Sequence, residues 1–345
     1  MNTVVTAVEL AYWQQTAIRS VAALVAVLIP AGTLVYLYLF KMMSFMQSRL
    51  GPMEAGPYGS LQLLAEVGKF LQKEDLIPRA ADRVVFKAAP FVVLVSTFLL
   101  VLVLPAGPDL WFINVDTGVF LALAVSSISV IGILMAGWGS ASKYSLLGGL
   151  RAAGQLVAYE LPLVLAVMGV VIQAGTLNVQ EIVLAQANGE IFGWGAIGNP
   201  FVITQFLGFA IFLVAVQAEL TQPPFDMPVA ESEIVAGYLT EYSGMRFLLF
   251  FIGEFATAGI FAALAATFFL GGWYVPGLDP ASDLFNLIGP LVLLTKIVLV
   301  SFLIFWFRFT YPRFREDQLQ ELAWKVLIPL ALANIVVTGV LKVVF

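Results

Sequence analysis

The sequence predicts an all-α, polytopic membrane protein in which eight helices cross the bilayer. Hydrophobic residues make up 61% of the 345, and the mean hydropathy is +0.96; a soluble domain is about half apolar. Runs without any charge, such as 118–142, 161–180 and 191–218, reach the roughly 20 residues that cross a bilayer as helix. Basic residues concentrate in alternate loops. We expect residues 1–345 to form a single integral membrane domain, because no linker or repeat interrupts them.

The eight predicted spans follow the apolar runs in chain order. They lie at about 18–40, 88–106, 118–138, 157–175, 201–219, 246–270, 284–307 and 326–344. The first span follows a short polar segment that lacks the basic region and the A-x-A cleavage site of a signal peptide. It is therefore predicted to be a retained helix.

The distribution of basic residues predicts the orientation. Fourteen of the seventeen Lys and Arg fall in four alternate loops, at about 41–87, 139–156, 220–246 and 308–325. Because loops rich in Lys and Arg stay on the cytoplasmic side, these loops are predicted to face the cytoplasm and the N-terminus to lie outside. We therefore expect the chain to lie in the inner (plasma) membrane of a cell, or in an equivalent energy-coupling membrane.

The outer loops are short and acidic. They carry Asp109, Asp116, Glu181, Glu190, Asp279 and Asp283, and no Lys or Arg. One of them contains Asn178, followed three residues later by Glu181, which is typical of a helix N-terminus. We therefore expect a short surface helix that begins after Asn178 and ends before the Gly-rich stretch 193–198.

Residues 60–75 predict an interfacial amphipathic helix on the cytoplasmic side. Apolar residues recur there at helical spacing, namely Leu61, Leu64, Gly68 and Leu71. Ser60 is the expected N-cap and Pro78 the expected stop. This helix either floats on the inner leaflet or closes a pocket over the spans.

The chain contains no Cys and no His, and this limits its chemistry. Zinc sites, iron–sulfur clusters and most haems need thiolate or imidazole ligands. We therefore predict no metal site, and any redox chemistry must belong to a partner or to a diffusible cofactor. Proton transfer would depend on Asp, Glu, Lys, Tyr and water.

The inner loop after the fifth span is the richest in acids. Pro223, Pro224 and Pro228 prevent a continuous helix through its first half. If the second half is helical, Glu233 and Glu241 lie on one face, since they are eight residues apart. The alternative is a solvated acidic loop.

Ionisable residues inside or at the edges of the spans are candidates for function, because a charge in the membrane is expensive. Glu160 and Glu219 lie at span edges, whereas Glu254 and Lys296 lie deeper. The alternative is a structural ion pair, for which Lys296 and Glu254 are the obvious partners. The third span carries no acid, so we assign no proton relay to it.

Several motifs together carry a family resemblance. They are Gly51-Pro52, Gly56-Pro57-Tyr58-Gly59, Ala136-Gly137-Trp138, the segment 143–153, Tyr159-Glu160, Pro224-Phe225-Asp226, Ala230-Glu231-Ser232-Glu233 and the segment 312–319. With these motifs, from about Lys41 to Pro329, the chain resembles the H-type membrane subunit of the proton-pumping NADH–quinone oxidoreductase (respiratory complex I), a family that includes related subunits of photosynthetic and ferredoxin-linked complexes.

The resemblance implies a membrane subunit of a redox-driven proton pump, with quinone as substrate and no complete activity alone. It would form much of the quinone chamber, begin a carboxylate proton path and anchor the peripheral electron-transfer arm. Its implied partners are the other membrane subunits and the peripheral iron–sulfur subunits, which hold the clusters and the flavin or other donor site. This chain would bind no cofactor and no nucleic acid, and it would contact the lipid bilayer.

The resemblance also implies roles for individual residues. The proton-path residues are Glu160, Glu219, Glu231, Glu233 and Glu254. The quinone-binding residues are Gln47, Arg49, Lys69, Phe225, Asp226, Glu231 and Glu233. The residues that dock partner subunits are Arg308, Arg313, Arg315 and Asp317.

The sequence departs from the family pattern at several positions. Leu39-Phe40 stand where the family has Glu-Arg, Met53 where it has Asn, and Thr221-Gln222 where it has Asn-Arg.

Two alternative functions stay open: a membrane anchor of a hydrogenase-like complex without quinone chemistry, and a stand-alone ion transporter. Acids concentrated at the inner surface favour a chamber over a transporter site near the bilayer midplane. The retained Arg49 and the Pro-Phe-Asp motif favour quinone.

Overall fold

The computed structural model describes residues 12–189, 198–280, 282 and 284–344, and in these ranges the chain is all-helical, as predicted, without a strand. Ten helices build the fold. They are α1 (Tyr12–Leu34, continued by Val35–Met42 and Met43–Met46), α2 (Gln62–Gln72), α3 (Arg83–Val101), α4 (Gly118–Gly139), α5 (Lys143–Ala174), α6 (Val179–Asn188), α7 (Phe206–Glu219), α8 (Gly244–Phe269), α9 (Leu284–Thr310) and α10 (Glu316–Val344).

Seven of these helices are long and apolar enough to cross a membrane, namely α1, α3, α4, α5, α8, α9 and α10. The eighth predicted span is the shorter apolar helix α7, which has 14 residues and rises about 21 Å. A separate turn of helix, Phe201–Thr204, precedes it, and the two are divided at Gln205. The chain is therefore a multi-pass membrane protein that accommodates the eight predicted spans.

The fourth span begins earlier than the sequence predicted. Helix α5 starts at Lys143 and runs for 32 residues, so most of the polar loop expected at 139–156 is helical. Hydropathy marks where a helix leaves the apolar layer, whereas backbone hydrogen bonds can extend it well beyond that layer. As a result Arg151 and Gln155 lie on the same rigid helix as Glu160.

The amphipathic helix is confirmed, but its predicted ends are wrong. Leu61, and not Ser60, precedes α2, no side chain caps its N-terminus, and it ends at Gln72, well before Pro78. Phe70 packs on α8 through a stacked contact with Phe247, with ring centroids 5.6 Å apart. The apolar residues Leu61, Leu64 and Leu71 lie on the exposed side.

Two helices organise the packing. Helix α8 packs against α1, α3 and α9, and α5 packs against α4, α7 and α10. Small residues let α4 and α5 approach closely, as is common between membrane helices. A Cβ atom on Gly137 would lie only 2.8 Å from the Ser145 carbonyl oxygen and 3.0 Å from the Gly149 Cα atom.

Polar side chains attach α10 to its neighbours. The Asn334 amide donates to Gln205 Oε1 at 2.9 Å, and the Gln205 amide donates to the Thr338 hydroxyl at 2.7 Å. Near the other end of α10, the Tyr159 hydroxyl of α5 donates to the Leu319 carbonyl at 2.9 Å. These buried bonds fix the last helix beside α5 and α7.

The predicted surface helix is confirmed as α6. The Asn178 side chain accepts hydrogen bonds from the backbone N–H groups of Gln180 and Glu181 at 2.9 and 3.3 Å. Of the six acids assigned to the outer loops, Glu190 and Asp283 lie outside the described residues, and so does most of the Gly-rich stretch after α6.

Candidate functional site

The acidic loop 220–243 between α7 and α8 is held by α5. Gln155 is 2% exposed, and its amide donates to the carbonyl oxygens of Ala218 at 2.7 Å and Phe225 at 2.8 Å. Two turns earlier, Gly148 leaves room for the loop, since a Cβ there would lie 2.6 Å from the Tyr238 nitrogen. Gln155 is also one of the residues that carry the family resemblance, but the sequence analysis assigned it no role, although an amide within an apolar segment is a signal for one.

The second half of the loop is not the continuous helix considered from the sequence. A turn of helix spans Glu231–Ile234, and a separate 3₁₀ turn spans Gly237–Leu239. Gly237 begins the second turn at φ +54°, where a Cβ would lie 1.7 Å from the Pro228 carbonyl oxygen. The expectation that Glu233 and Glu241 share one helical face is therefore wrong, because close backbone packing breaks the helix between them.

Glu233 lies between two arginines. Arg151 of α5 donates from Nη1 to Glu233 Oε2 at 2.6 Å, and Arg313, from the segment before α10, bonds the other carboxylate oxygen. Arg151 also lies 3.9 Å from Glu316. The hydrogen bond from Arg151 lowers the pKa of Glu233, and the charges of Arg313 and Arg151 lower it further.

Asp226 has the opposite environment. Burial, together with the negative charge of Glu254, raises the pKa of Asp226 from 3.8 to about 6, although Arg308 and Arg313 act against the rise. No described residue donates a hydrogen bond to the Asp226 carboxylate. With a pKa of about 6, Asp226 can change protonation near neutral pH.

Glu254 is paired, but its partner is not Lys296, the candidate named for the alternative of a structural ion pair. Arg308 Nη1 donates to Glu254 Oε1 at 3.1 Å, and the buried Gln222 amide donates to the same oxygen at 3.1 Å. The Lys296 ammonium instead donates to three backbone carbonyls, of Leu270, Gly272 and Tyr274, each at 2.7 Å. Lys296 therefore satisfies the carbonyl of Leu270, the C-cap of α8, and two carbonyls of the turn that follows the helix.

A cavity of about 50 Å³ lies between α3, α4, α7, α8 and the acidic loop. Glu219 and Glu254 line it together with the hydroxyl-bearing residues Ser129, Tyr238 and Thr257. One carboxylate oxygen of Glu219 is buried and has no hydrogen-bond partner. Because a buried polar atom normally has a partner, the cavity is a place where water or another proton carrier can reach Glu219.

The third span contributes to this region despite its lack of acids. The Ser127 hydroxyl of α4 bonds Glu160 Oε1, and Ser129 lines the cavity beside Glu219. Glu160 also lies close enough to Glu219 for the two carboxyl groups to interact electrostatically. The cluster of serines at 126–129 in an apolar span was the signal for this contribution. In the described ranges, no group of three or more Asp or Glu side chains is arranged to hold a metal ion.

The expected quinone-binding residues divide into two groups. Phe225, Asp226, Glu231 and Glu233 belong to the acidic loop described above. Gln47 and Arg49 lie exposed after α1, where Arg49 Nε donates to Gln47 Oε1 at 2.8 Å. Lys69 of α2 pairs with Glu66 and lies over the Phe70 ring, 4.5 Å from its centroid. No recorded hydrogen bond or ion pair among the described residues joins this second group to the acidic loop.

The expected docking residues are also divided. Arg308 and Arg313 are occupied by carboxylates of the same chain, Glu254 and Glu233. Arg315 and Asp317 pair with each other, and their side chains are 76% and 59% exposed. Of the four, only Arg315 and Asp317 have mostly exposed side chains on the surface of the described chain.

Known proteins resemble this chain along most of its length. The family model described as NADH dehydrogenase matches residues 18–339. The H subunit of the NADH-quinone oxidoreductase of Bacillus thuringiensis (strain Al Hakam) is 45% identical over 306 residues, which cover 88% of this chain and 87% of the relative. The H subunits of Bacillus cereus (strain AH187) and Bacillus anthracis (strain CDC 684 / NRRL 3495) show the same identity and coverage.

Proposed function

This chain belongs to the NADH dehydrogenase family and is a membrane subunit of an NADH-quinone oxidoreductase complex. From that membership we propose that it forms much of the quinone chamber and the first part of a proton path. The observation that carries the proposal is a connected set of carboxylates. It runs from the acidic loop through Glu254 to the cavity at Glu219 and on to Glu160.

The arrangement fits proton transfer coupled to a change of charge. A quinone that accepts two electrons carries extra negative charge until a proton binds at each carbonyl oxygen, so its reduction changes the charge in the chamber before protons are supplied. At an effective dielectric constant of about 20, a unit charge that arrives about 4 Å from a carboxylate interacts with it by roughly 4 kcal/mol. This energy is enough to make a carboxylate bind a proton and release it later in turnover.

We assign the residues of the chamber, of its access and of the proton path as follows. Phe225, Asp226, Glu231 and Glu233 border the chamber, and Gln47, Arg49 and Lys69 line its access from the membrane. Glu254, Glu219 and Glu160 carry protons onward, assisted by the hydroxyl groups of α4. The family membership and the single polar loop that links α7 to α8 support this order.

The remaining proposals concern the membrane, the orientation and the partner subunits of the chain. We propose that 1–345 is one integral membrane domain, with its basic loops in the cytoplasm, in the inner (plasma) membrane or an equivalent energy-coupling membrane. The exposed pair Arg315–Asp317, with neighbouring Arg313 and Arg308, would face a peripheral subunit. The iron–sulfur clusters and the electron donor site belong to such partners, because this chain has neither Cys nor His to ligate a cluster.

Replacement of Glu219 tests the proton path. Glu219→Gln keeps the shape and much of the hydrogen bonding but cannot titrate. We expect an assembled complex whose quinone reductase and proton-pumping rates fall by roughly 10²-fold, which is the lower range of what a positioned proton-transfer group contributes.

The matched control is Asp116→Asn, an equal loss of charge at an exposed acid in the loop between α3 and α4. It should pump at the wild-type rate. A Glu219→Gln complex that assembles and pumps as fast as this control would show that the carboxylate set is not the path.

A further inference from the structure

The turn that carries Glu233 is held in an unfavourable backbone conformation. Ala230 has φ +24° and Val235 has φ +66°, on either side of the helical turn Glu231–Ile234. A β-branched residue at positive φ is a genuine outlier. Such conformations are unfavourable and persist only where the surrounding structure imposes them.

The contacts of Glu233 with the rest of the fold impose this backbone conformation on the turn. The two carboxylate oxygens of Glu233 bind two arginines from different parts of the fold, Arg151 of α5 and Arg313 of the segment before α10. The other charged group beside Arg151 is Glu316, 3.9 Å away. The arginine side chains are 22% and 27% exposed and the Glu233 side chain is 40% exposed, so water screens part of each contact, and the two contacts act together on one carboxylate.

Helix α5 also fixes the other end of the same segment. Gln155 binds the Phe225 carbonyl at 2.8 Å, and Arg151 binds Glu233 at 2.6 Å. The two α5 residues are four apart, about 6 Å along the helix axis. Asp226 therefore lies on a stretch of loop that is anchored to one rigid helix at both ends.

We infer that Arg151 and Arg313 are positioning residues that hold Glu233 as a permanently ionised anchor, so that Glu233 fixes the loop carrying Asp226 and does not itself carry protons. The inference rests on the proposed function, which supplies the proton path. It changes the role of Glu233 within that path, because protonation of Glu233 would weaken two charge-assisted hydrogen bonds, one on each carboxylate oxygen. Asp226, to whose carboxylate no described residue donates a hydrogen bond, loses no such contact when it is protonated.

The first test measures the loop directly, in the assembled complex. The chain has no native Cys, and Ile234 in the same turn is 3% exposed, so Ile234→Cys gives one reporter that a water-soluble maleimide reaches only when the loop opens, and its labelling is read on this chain. Adding Arg151→Gln should raise the labelling rate by about tenfold, which corresponds to ~1.4 kcal/mol and fits the loss of one charge-assisted hydrogen bond. Arg151→Lys should raise it less.

The matched control is Lys325→Gln, which removes the ion pair with Glu321, whose side chains are 71% and 63% exposed. It should leave the labelling rate unchanged. An Arg151→Gln variant that labels no faster than Lys325→Gln would overturn the anchor, while leaving the effect of Glu219→Gln intact as independent support for the proposed function.

The second test separates an anchor from a proton carrier by the pH dependence of the quinone reductase rate. Glu233→Gln, Arg151→Gln and the double variant should lower the rate by similar factors at all pH values, because each breaks the same contact. Arg151→Lys should recover part of the rate. If Glu233→Gln shifts the pH profile while Arg151→Gln leaves the rate unchanged, Glu233 is a proton carrier and the inference is wrong. If Arg151→Gln fails to assemble, Arg151→Lys and Glu233→Asp provide the same comparison.

Discussion

Asp226→Asn should remove a pH-dependent step from quinone reduction. Burial and the nearby Glu254 raise the pKa of Asp226 to about 6, against the opposing charges of Arg308 and Arg313. An acid with this pKa is about nine-tenths ionised at pH 7 and about one-tenth ionised at pH 5, so a rate that needs the ionised form falls about tenfold over that interval. Asparagine has nearly the same shape and cannot titrate.

The assay is the quinone reductase rate of membranes that contain the assembled complex, measured from pH 5 to 8 at saturating quinone. The wild type should lose rate as the pH falls below about 6. The Asp226→Asn variant should be slow at pH 7 and lack that decline. Arg313→Gln should move the decline to higher pH, because the guanidinium lowers the pKa of Asp226.

The control for this prediction is Glu321→Gln, an exposed carboxylate of α10 that pairs only with Lys325 among the described residues. It should retain the wild-type pH profile. A decline near pH 6 that persists in Asp226→Asn would refute the assignment, since the titrating group would then be another residue.

Two further predictions test the topology and the intramembrane lysine. In the Cys-free chain, a single Cys at Ala81 should be labelled only from the cytoplasmic side and one at Asp116 only from outside; the converse result would reverse the orientation. A Cys at Ala281, which lies outside the described residues, should likewise be labelled only from outside. Lys296→Met leaves three carbonyls without their donor, so we expect a loss of ~3 kcal/mol in stability and a lower Tm of the purified complex. Lys342→Met, which removes one exposed bond to the Gln173 carbonyl, should lower it less, and equal losses would contradict the proposed capping of α8.

The order and type of the elements could be predicted from the sequence because hydropathy, charge and capping are local properties. Apolar runs located the spans, and Asn178 located the start of α6. The prolines at 223–228 correctly excluded a helix at the start of the acidic loop. Each of these signals acts over a few residues, and none depends on what the segment packs against.

Errors appeared where backbone packing overrode local preference. A periodic acidic segment that could have been a helix at 231–241 is broken before Gly237, because the loop presses against its own Pro228 carbonyl. The start of α2 has no side-chain cap, although Ser60 precedes it by two residues. The sequence contains no information about such close approaches until the chain is folded.

The sequence by itself determined that this is a multi-pass helical membrane protein, that its basic residues collect in alternate loops, and that acids accumulate in one of those same loops. Only the tertiary structure decided which charges meet. Arg151 and Glu233 are 82 residues apart in the chain, and Arg308 and Glu254 are 54 apart. Lys296, the candidate partner of Glu254 in the alternative of a structural ion pair, instead donates to three backbone carbonyls at and beyond the end of α8. The physical reason is that the free energy of a charge in or near a membrane depends on its nearest polar groups, and the packing of distant helices alone fixes those neighbours.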